Sequence, residues 1–555
     1  MSKISKAVAA DYAVKKNDEA RHGSEIVKNF MDGDSYKCDP ITTLKLVTAS
    51  SIYGEPSYYR SSKNSRREER GWVDSLVKDY SVFDDTAWKD NTTEEIMEKV
   101  IDDALTCDFG ATLNWAVELR KTYNMRLNPQ VIMVRAAVHP YRKAFTDSHP
   151  GEFNATQRLV MSRADEPASQ LAYFIYKHGN KNNLPSILKR SIANKLSNLT
   201  PYQVAKYKNA EIGIANAAKI VHANSPVIDE LIQTGTVAVA EEQKTWENLR
   251  SEGKGWIEIF HTVDMGHMAL LRNLRGVFTE VEDGAFSAEY LNKLKSGVLQ
   301  GKQFPFRYWS AMKAVSRASG CHHVPQILDA LNECMDIAKA NLPHLNGKTM
   351  ALTDNSGSAW GSFNSEYGSV TIAEIDNLSS VMLASISDEG YVGVFGDELT
   401  TLPISKRDGL LTTTEKVTKA SEHVGGGTES GIWLFFRDAI DNKVWWDNIV
   451  IFSDEQAGHG DLYGTQKDAT EYRRRGFACN TSCYTPYINV MDLLMEYRRT
   501  VNPKVNFMAV QTAGYDNVVI PENIYRGTIA YGWTGQEARL LKATSNIWDE
   551  LESCK

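Results

Sequence analysis

The sequence predicts an array of stacked α-helical hairpins followed by a doubly wound α/β domain with a mainly parallel sheet. Three observations predict it. Residues 1 to about 340 read as helix after helix, with apolar residues at three- and four-residue steps. From Leu342-Pro343 onward, short apolar runs alternate with amphipathic segments, the pattern of strand–helix–strand units. The length of 555 residues is too great for one hydrophobic core.

In the first part, LPSILKRSIANKLSNL puts Leu184, Ile187, Leu188, Ile192, Leu196 and Leu199 on one helical face. The next helix starts at Thr200-Pro201, an N-cap followed by proline at the first helical position, and runs through Val204, Ala205 and Tyr207. NWAVELRKTY, PQVIMVRAAVHPYRKAF, HMALLRNLRGVF, FRYWSAMKAVSRAS and VPQILDALNECMDIAKANL have the same character, with short Pro or Gly turns between them. Alternating strands are largely absent. Helical hairpins of this kind bury their faces on their neighbours, as in a solenoid with degenerate repeats.

The second part begins with GKTMALTDNSGS, a short apolar run ending in a polar loop. TIAEIDNLSSVMLASIS and GTESGIWLFFRDAID read as helices; GYVGVFGDELTTLPI, DNIVIFSDEQ and VNFMAVQTA read as strands. The expected domains are therefore 1–342, helical, and 343–555, α/β, with a polar surface insertion at about 456–490. In a doubly wound sheet, ligands bind beyond the carboxyl ends of the strands, which is where Asp354 and Asp454 fall.

Hydrophobic residues make up 42% and charged residues 24%, an ordinary globular balance. No apolar run approaches the roughly 18 residues that span a bilayer. The opening MSKISKAVAADYAVKKNDEARHG is polar and lacks an apolar signal core, so a cytoplasmic protein is expected. Seven scattered cysteines argue for a reducing compartment. Cys479-x3-Cys483 reads as two free thiols, and Cys321-His322-His323 as incidental neighbours.

The net charge of −8 hides a segregation. Lys177, Lys181, Lys189, Arg190, Lys195, Lys206 and Lys208 lie in a stretch without acids. So do Arg120, Lys121, Arg126, Arg135, Arg142 and Lys143. A basic stripe on an acidic protein focuses a local field and collects phosphates. Tyr58 and Tyr59 beside Arg60, Lys63, Arg66 and Arg67 offer base stacking and backbone contacts, or core packing.

Asp354-Asn355-Ser356-Gly357-Ser358 places one carboxylate and two hydroxyls around one small volume just after a strand. Thr428 follows Gly425-Gly426-Gly427, a loop that can approach a ligand closely. Asp454 adds a carboxylate from another strand end. Together, Asp354, Ser356, Ser358, Thr428 and Asp454 form a hard-oxygen set suited to one divalent cation such as Mg²⁺. The bland alternative is helix capping by Asp354 and the serines. No activated nucleophile accompanies the set, and no catalytic residue is assigned.

This constellation resembles the metal-ion-dependent adhesion site of von Willebrand factor A domains. LVTASSIYGEPSYYR, LPSILKRSIANKLSNLTPYQVAKYK, MGHMALLRNLRGV and FPFRYWSAMKAV resemble, in order, segments of TROVE modules, named for telomerase-associated, Ro and vault proteins. GWTGQEARLLKATSNIWDEL resembles the Ro C-terminal helix. The resemblance implies an α-helical HEAT-like repeat ring closed by a von Willebrand factor A-like domain. It implies RNA-binding without enzymatic activity: small structured noncoding (Y-like) RNA on the outer basic surface, and single-stranded 3′ ends of misfolded RNA in the hole. Lys177, Lys181, Lys189, Arg190, Lys195, Lys206, Lys208, Arg126 and Arg60 are the expected RNA contacts. An exoribonuclease, or a carboxylate-bearing protein at the cation, is the further expected partner of a monomeric ribonucleoprotein in RNA quality control. After the K-Y-K element the family's Gly-Trp-Ser-His stretch is replaced by NAEIGIANAAKIVH, with His222 out of register. The competing expectations are a metal-dependent interaction module without RNA binding and a cation-dependent nuclease.

Overall fold

The computed structural model describes residues 3–28, 34–49, 93–122, 125–179, 183–207, 212–240, 244–301, 303, 305–361, 371–427, 429–455, 474–475, 489–512, 517–521, 524–531 and 537–553. Between Thr93–Cys107 and Val324–Ala338, the described residues fold as consecutive helices. Local chemistry sets their ends. Asp108 accepts the Ala111 amide and caps Phe109–Lys121. Thr200 and Gln203 exchange side-chain and amide hydrogen bonds (3.2 and 3.0 Å) at the start of Pro201–Tyr207. In Ser186–Ser197, the apolar spacing delivers Leu188, Ile192 and Leu196 to full burial. PQVIMVRAAVHPYRKAF, by contrast, is two helices, Asn128–Val138 and Arg142–Ser148. His139 precedes Pro140 and takes an extended backbone, because the proline ring disfavours the helical region for its predecessor.

The larger sheet is built from β3 (Leu345–Asp354), β4 (Ser387–Phe395), β5 (Leu399–Ile404), β6 (Asn448–Ser453), β7 (Asn506–Gln511) and β9 (Gly527–Tyr531). Their spatial order is β5-β4-β3-β6-β7-β9. The pairs are parallel except β4 with β5. β6 and β7 are buried along their whole length, as parallel strands covered by helices on both faces must be. β5 alternates and closes one edge. The chain enters the sheet at its centre, on β3, and then builds outward in both directions. The carboxyl ends of β3 and β6 therefore flank the crevice where the strand order reverses.

The fold departs from the sequence expectation near the start of the chain. β1 (Ile26–Lys28) and β2 (Asp34–Lys37) form a hairpin whose second strand pairs with β8 (Asn517–Val518). The preceding helix, Lys3–His22, packs on Val490–Thr500. Tyr36 and Cys38 join the core of the α/β unit with Trp433, Leu494 and Tyr497. Residues 3–28 and 34–38 thus belong physically with the C-terminal part. Strands of three and four residues carry no readable alternation.

After that strap, the Pro40–Ala49 helix touches both β9 and Thr93–Cys107. At its far end, the array runs through Val324–Ala338 into β3. The helical array therefore closes on itself through the α/β unit. The Ile372–Ser385 helix bridges the seam. Ile372, Ala373 and Ile375 pack in the core that includes Leu188 and Val204, and Leu378 and Val381 in the core that includes Leu271 and Leu331.

Candidate functional site

At the centre of the sheet, β3 ends in Asp354 and β6 is followed by Asp454; both carboxylates are buried. The Ser356 amide (2.9 Å) and the Ser453 hydroxyl (2.6 Å) donate to Asp354. Burial, and next the charge of Asp454, push the Asp354 carboxyl up to about 7; bonds from Ser356 and Ser453 oppose them. Two carboxylates withdrawn from water, each disfavouring the other's charge, favour a bound cation, which offsets both the burial and the repulsion. Among the described residues, no group of three or more His, Cys, Asp or Glu side chains comes together as a metal cluster. The serine hydroxyls of the loop and water would add the hard-oxygen donors that suit Mg²⁺. The residues present fit such an ion.

The loops around the pair are braced. The Gly357 amide donates to the Gly426 carbonyl (2.9 Å), joining the two sequence motifs. Asp397, beyond β4, receives the Gly426 and Gly427 amides on its two oxygens (2.9 and 3.0 Å). Gly425 has a φ of 80°, and a Cβ there would run into Asp397, so glycine is required. Asn355 and Asn377 exchange amide hydrogen bonds (2.9 and 3.0 Å), and the Thr353 hydroxyl also donates to Asn377 (2.8 Å). Glu455, at a φ of 60°, is buried and accepts the Val519 amide (2.9 Å). Burial pushes its carboxyl up to about 8. Ser358 lies in the Gly357–Gly361 helix beside the pair; Thr428 falls outside the described residues. Asp397, Asn377 and Glu455 were not singled out by the sequence. A lone acid or amide near a strand end is common, and only the loop it holds reveals it.

A second feature lies on the helical array. Lys121 donates to the Ser162 hydroxyl (2.9 Å) and Lys195 to the Ser162 carbonyl (3.5 Å). Three residues on, Asp165 receives both Arg126 (2.7 Å) and Arg163 (3.0 Å). Arg163 covers the Tyr207 ring at 4.9 Å, and Lys206 lies 5.6 and 5.7 Å from the rings of Tyr202 and Tyr207. Lys121, Arg126, Arg163, Lys195 and Lys206 thus gather on one face around a single loop. Glu166 is spent on the buried Arg120. Burial lowers the Lys195 ammonium below its ordinary value; Glu166 opposes and Lys121 adds to the effect. An approaching phosphate has charge to neutralise here.

The two acid-free runs of the sequence therefore meet, but only in part. Lys177 is paired with Glu98 (2.6 Å), and Arg135 with Glu98 and Asp102, so that end is neutralised. Lys189 is half-buried on Ser186–Ser197, and Arg190 is exposed with its Nε on the Ser186 carbonyl. Arg60, Lys181 and Lys208 lie outside the described residues, as do Tyr58, Tyr59, Cys479, Cys483 and nearly all of 456–490. Arg163 was missed because Asp165 and Glu166 follow it in sequence. His222 caps Ile214–Val221 in the left-handed region at φ 60°. The His322 ring pairs with Glu282 (3.2 Å), and the Cys321 thiol donates to the His322 carbonyl (3.8 Å). Arg272 is exposed on His267–Glu280. Among the described residues, no helix is long and apolar enough to cross a membrane.

No family model matches the sequence, and no curated protein matches it. Among solved structures, the fold is similar to that of the Deinococcus radiodurans Ro (RSR) protein. Identity is 13% and the TM-score 0.54, over 81% of this chain and 93% of that one. The likeness is one of architecture: a mostly helical part followed by a largely parallel α/β unit.

Proposed function

We propose that this Ro-like fold serves as a Ro-type RNA-binding protein, without an enzymatic activity of its own. It takes small structured noncoding (Y-like) RNA and the single-stranded ends of misfolded RNA, in a cytoplasmic quality-control role and as a monomer. An exoribonuclease is the partner such a role calls for. The observation that carries the reading is the cationic face formed by Lys121, Arg126, Arg163, Lys195 and Lys206 on a protein of net charge −8. Each phosphate it neutralises releases counterions, which makes affinity salt-dependent. Tyr202 and Tyr207 add ring faces on which unpaired bases stack without regard to sequence. Recognition is then by charge, shape and strand ends rather than by a base code. In this reading, residues 1–342 and 343–555 act as the RNA-binding and cation-binding parts, with residues 3–28 and 34–37 docked on the second.

At the sheet, the same reading assigns a divalent cation, Mg²⁺ by its chemistry, to Asp354, Ser356, Ser358, Thr428 and Asp454. The ion would supply a positive centre open to an exogenous carboxylate. A second reading, a metal-dependent protein-interaction module without RNA binding, is favoured by that buried acid pair alone.

Filter binding of a structured RNA with a single-stranded 3′ tail tests the choice. Wild-type protein should bind near micromolar concentration, with log K falling by about 0.7–0.9 per tenfold rise in salt for each phosphate contacted. Lys195→Glu with Lys206→Glu should weaken binding at least tenfold and flatten that slope; Lys416→Glu, on the α/β surface, should do neither. Absence of salt-dependent binding in the wild type sinks the RNA reading and leaves the interaction module.

A further inference from the structure

We propose that cation occupancy at the Asp354 loop is coupled to the seam between the helical array and the α/β unit, so that the ion acts as a lock on ring closure. The inference rests on the cation assigned above, and adds what that cation does to this chain.

Two short paths join the loop to the seam. The first is along the backbone. From Ser356, beside the acid pair, the chain turns into Gly357–Gly361, with the Trp360 amide donating to the Ser356 carbonyl (3.3 Å). Ala359 is 1% exposed. It lies in the core that contains Leu188, Val204 and Leu231 of the array, with Trp360 packed against that core. Within a few residues, one segment thus supplies the cation loop and a plug in the helical core. The Gly357 amide, held by Gly426, fixes where that turn begins.

The second path runs through Asn377. The Asn355–Asn377 amide pair and the Thr353–Asn377 bond tie the loop to the Ile372–Ser385 helix. The first turn of this helix faces the array. Ile372, Ala373 and Ile375 share the core with Ala359, and Glu374 forms an ion pair with Lys313 on Pro305–Ser316. Glu374 also closes the capping box with Thr371, so the same side chain holds the helix start and the seam.

Without an ion, Asp354 and Asp454 remain two buried acids at neighbouring strand ends, and the loop that carries Asp354 relaxes. Cores are close-packed and transmit such shifts rather than absorb them. Both paths lead into the array, so the ion favours the closed seam. By linkage, a closed seam favours the ion to the same degree.

Hydrogen–deuterium exchange of the full chain, in MgCl₂ or MnCl₂ against EDTA, reads the coupling; calorimetric titration of the same cations reads binding separately. The expected result is cation binding together with at least fivefold slower exchange in Pro305–Ser316 and Ile372–Ser385, a factor typical of coupled sites. Asp354→Asn should abolish both responses. Lys313→Met, which touches no proposed ligand, should weaken cation binding by about the same factor. Cation binding with unchanged exchange on Pro305–Ser316 overturns the coupling and leaves the cation site standing. No cation binding by wild-type protein overturns the cation site, and the coupling with it.

Discussion

The carboxamide oxygen of Asn17 accepts from the Arg498 guanidinium (3.3 Å) and the Tyr525 amide (3.1 Å). Arg498 is fully buried, and its other hydrogen bonds go to the carbonyls of Val505 and Arg526. A buried cation whose described acceptors are all neutral depends on each of them, since an unsatisfied buried donor carries its full desolvation cost. Asn17→Ala should therefore lower the stability of the α/β unit by about 2 kcal/mol, whereas Asn17→Asp, which keeps an oxygen beside Arg498, should lose less. Urea unfolding of both variants checks this. A loss for Asn17→Ala below about 0.5 kcal/mol would remove Asn17 from the list of residues that hold the strap.

At the scale of elements, the C-terminal helix Glu537–Ser553 is held through its last turns. Arg526, itself buried, reaches Glu552 (3.0 Å) and Asp549, while Lys504 (2.5 Å) and the Tyr525 hydroxyl (2.5 Å) also reach Glu552. Burial raises the Glu552 carboxyl, but hydrogen bonds from Arg526, Lys504 and Tyr525 outweigh it and hold the group at about 2. A carboxyl depressed in this way contributes stability that is whole above its ordinary value of 4.5, and fades as the pH falls towards 2. Amide exchange in 537–553 should thus be insensitive to pH, after correction for intrinsic rates, down to about pH 5 and accelerate below it. Glu552→Gln should show the loosened helix already at pH 7.

The same scale separates what the sequence reveals from what it conceals. β6 and β7 are legible because each buried strand is a run of apolar residues bounded by polar ones. The crevice is legible because Asp354 and Asp454 stand at the ends of such runs. β1 and β2 are illegible, since both are short and β8, the outer partner of β2, lies far along the chain. Lys177 looks free in an acid-free window, but Glu98, on another helix, neutralises it. Arg163 is concealed by the opposite error: Asp165 and Glu166 are its neighbours in sequence, yet Glu166 is committed to Arg120. Reading charge along the chain finds stripes; only the packing of helices says which members remain exposed as a group.

For the whole molecule, the docking of Lys3–His22 and the β1–β2 hairpin makes the α/β unit a composite of distant segments. Removing residues 1–38 should expose Leu494, Tyr497 and Val518 to water and strip the Asn17 acceptor from Arg498. Calorimetry of the full chain should show the α/β unit melting together with its strap. The shortened chain should show that transition several degrees lower or split from the helical array. An unchanged profile would mean that the strap is decoration.

The bond between Asn17 and Arg498 spans 481 positions. At ordinary rates of translation, Asn17 leaves the ribosome tens of seconds before its partner exists. During that interval, the apolar side of the first helix and the edge of β2 have nothing to pair with, an invitation to wrong partners. Assembly of this molecule is therefore a problem of timing: a segment made early must wait, unoccupied, for the last fifth of the chain before the circle can be joined.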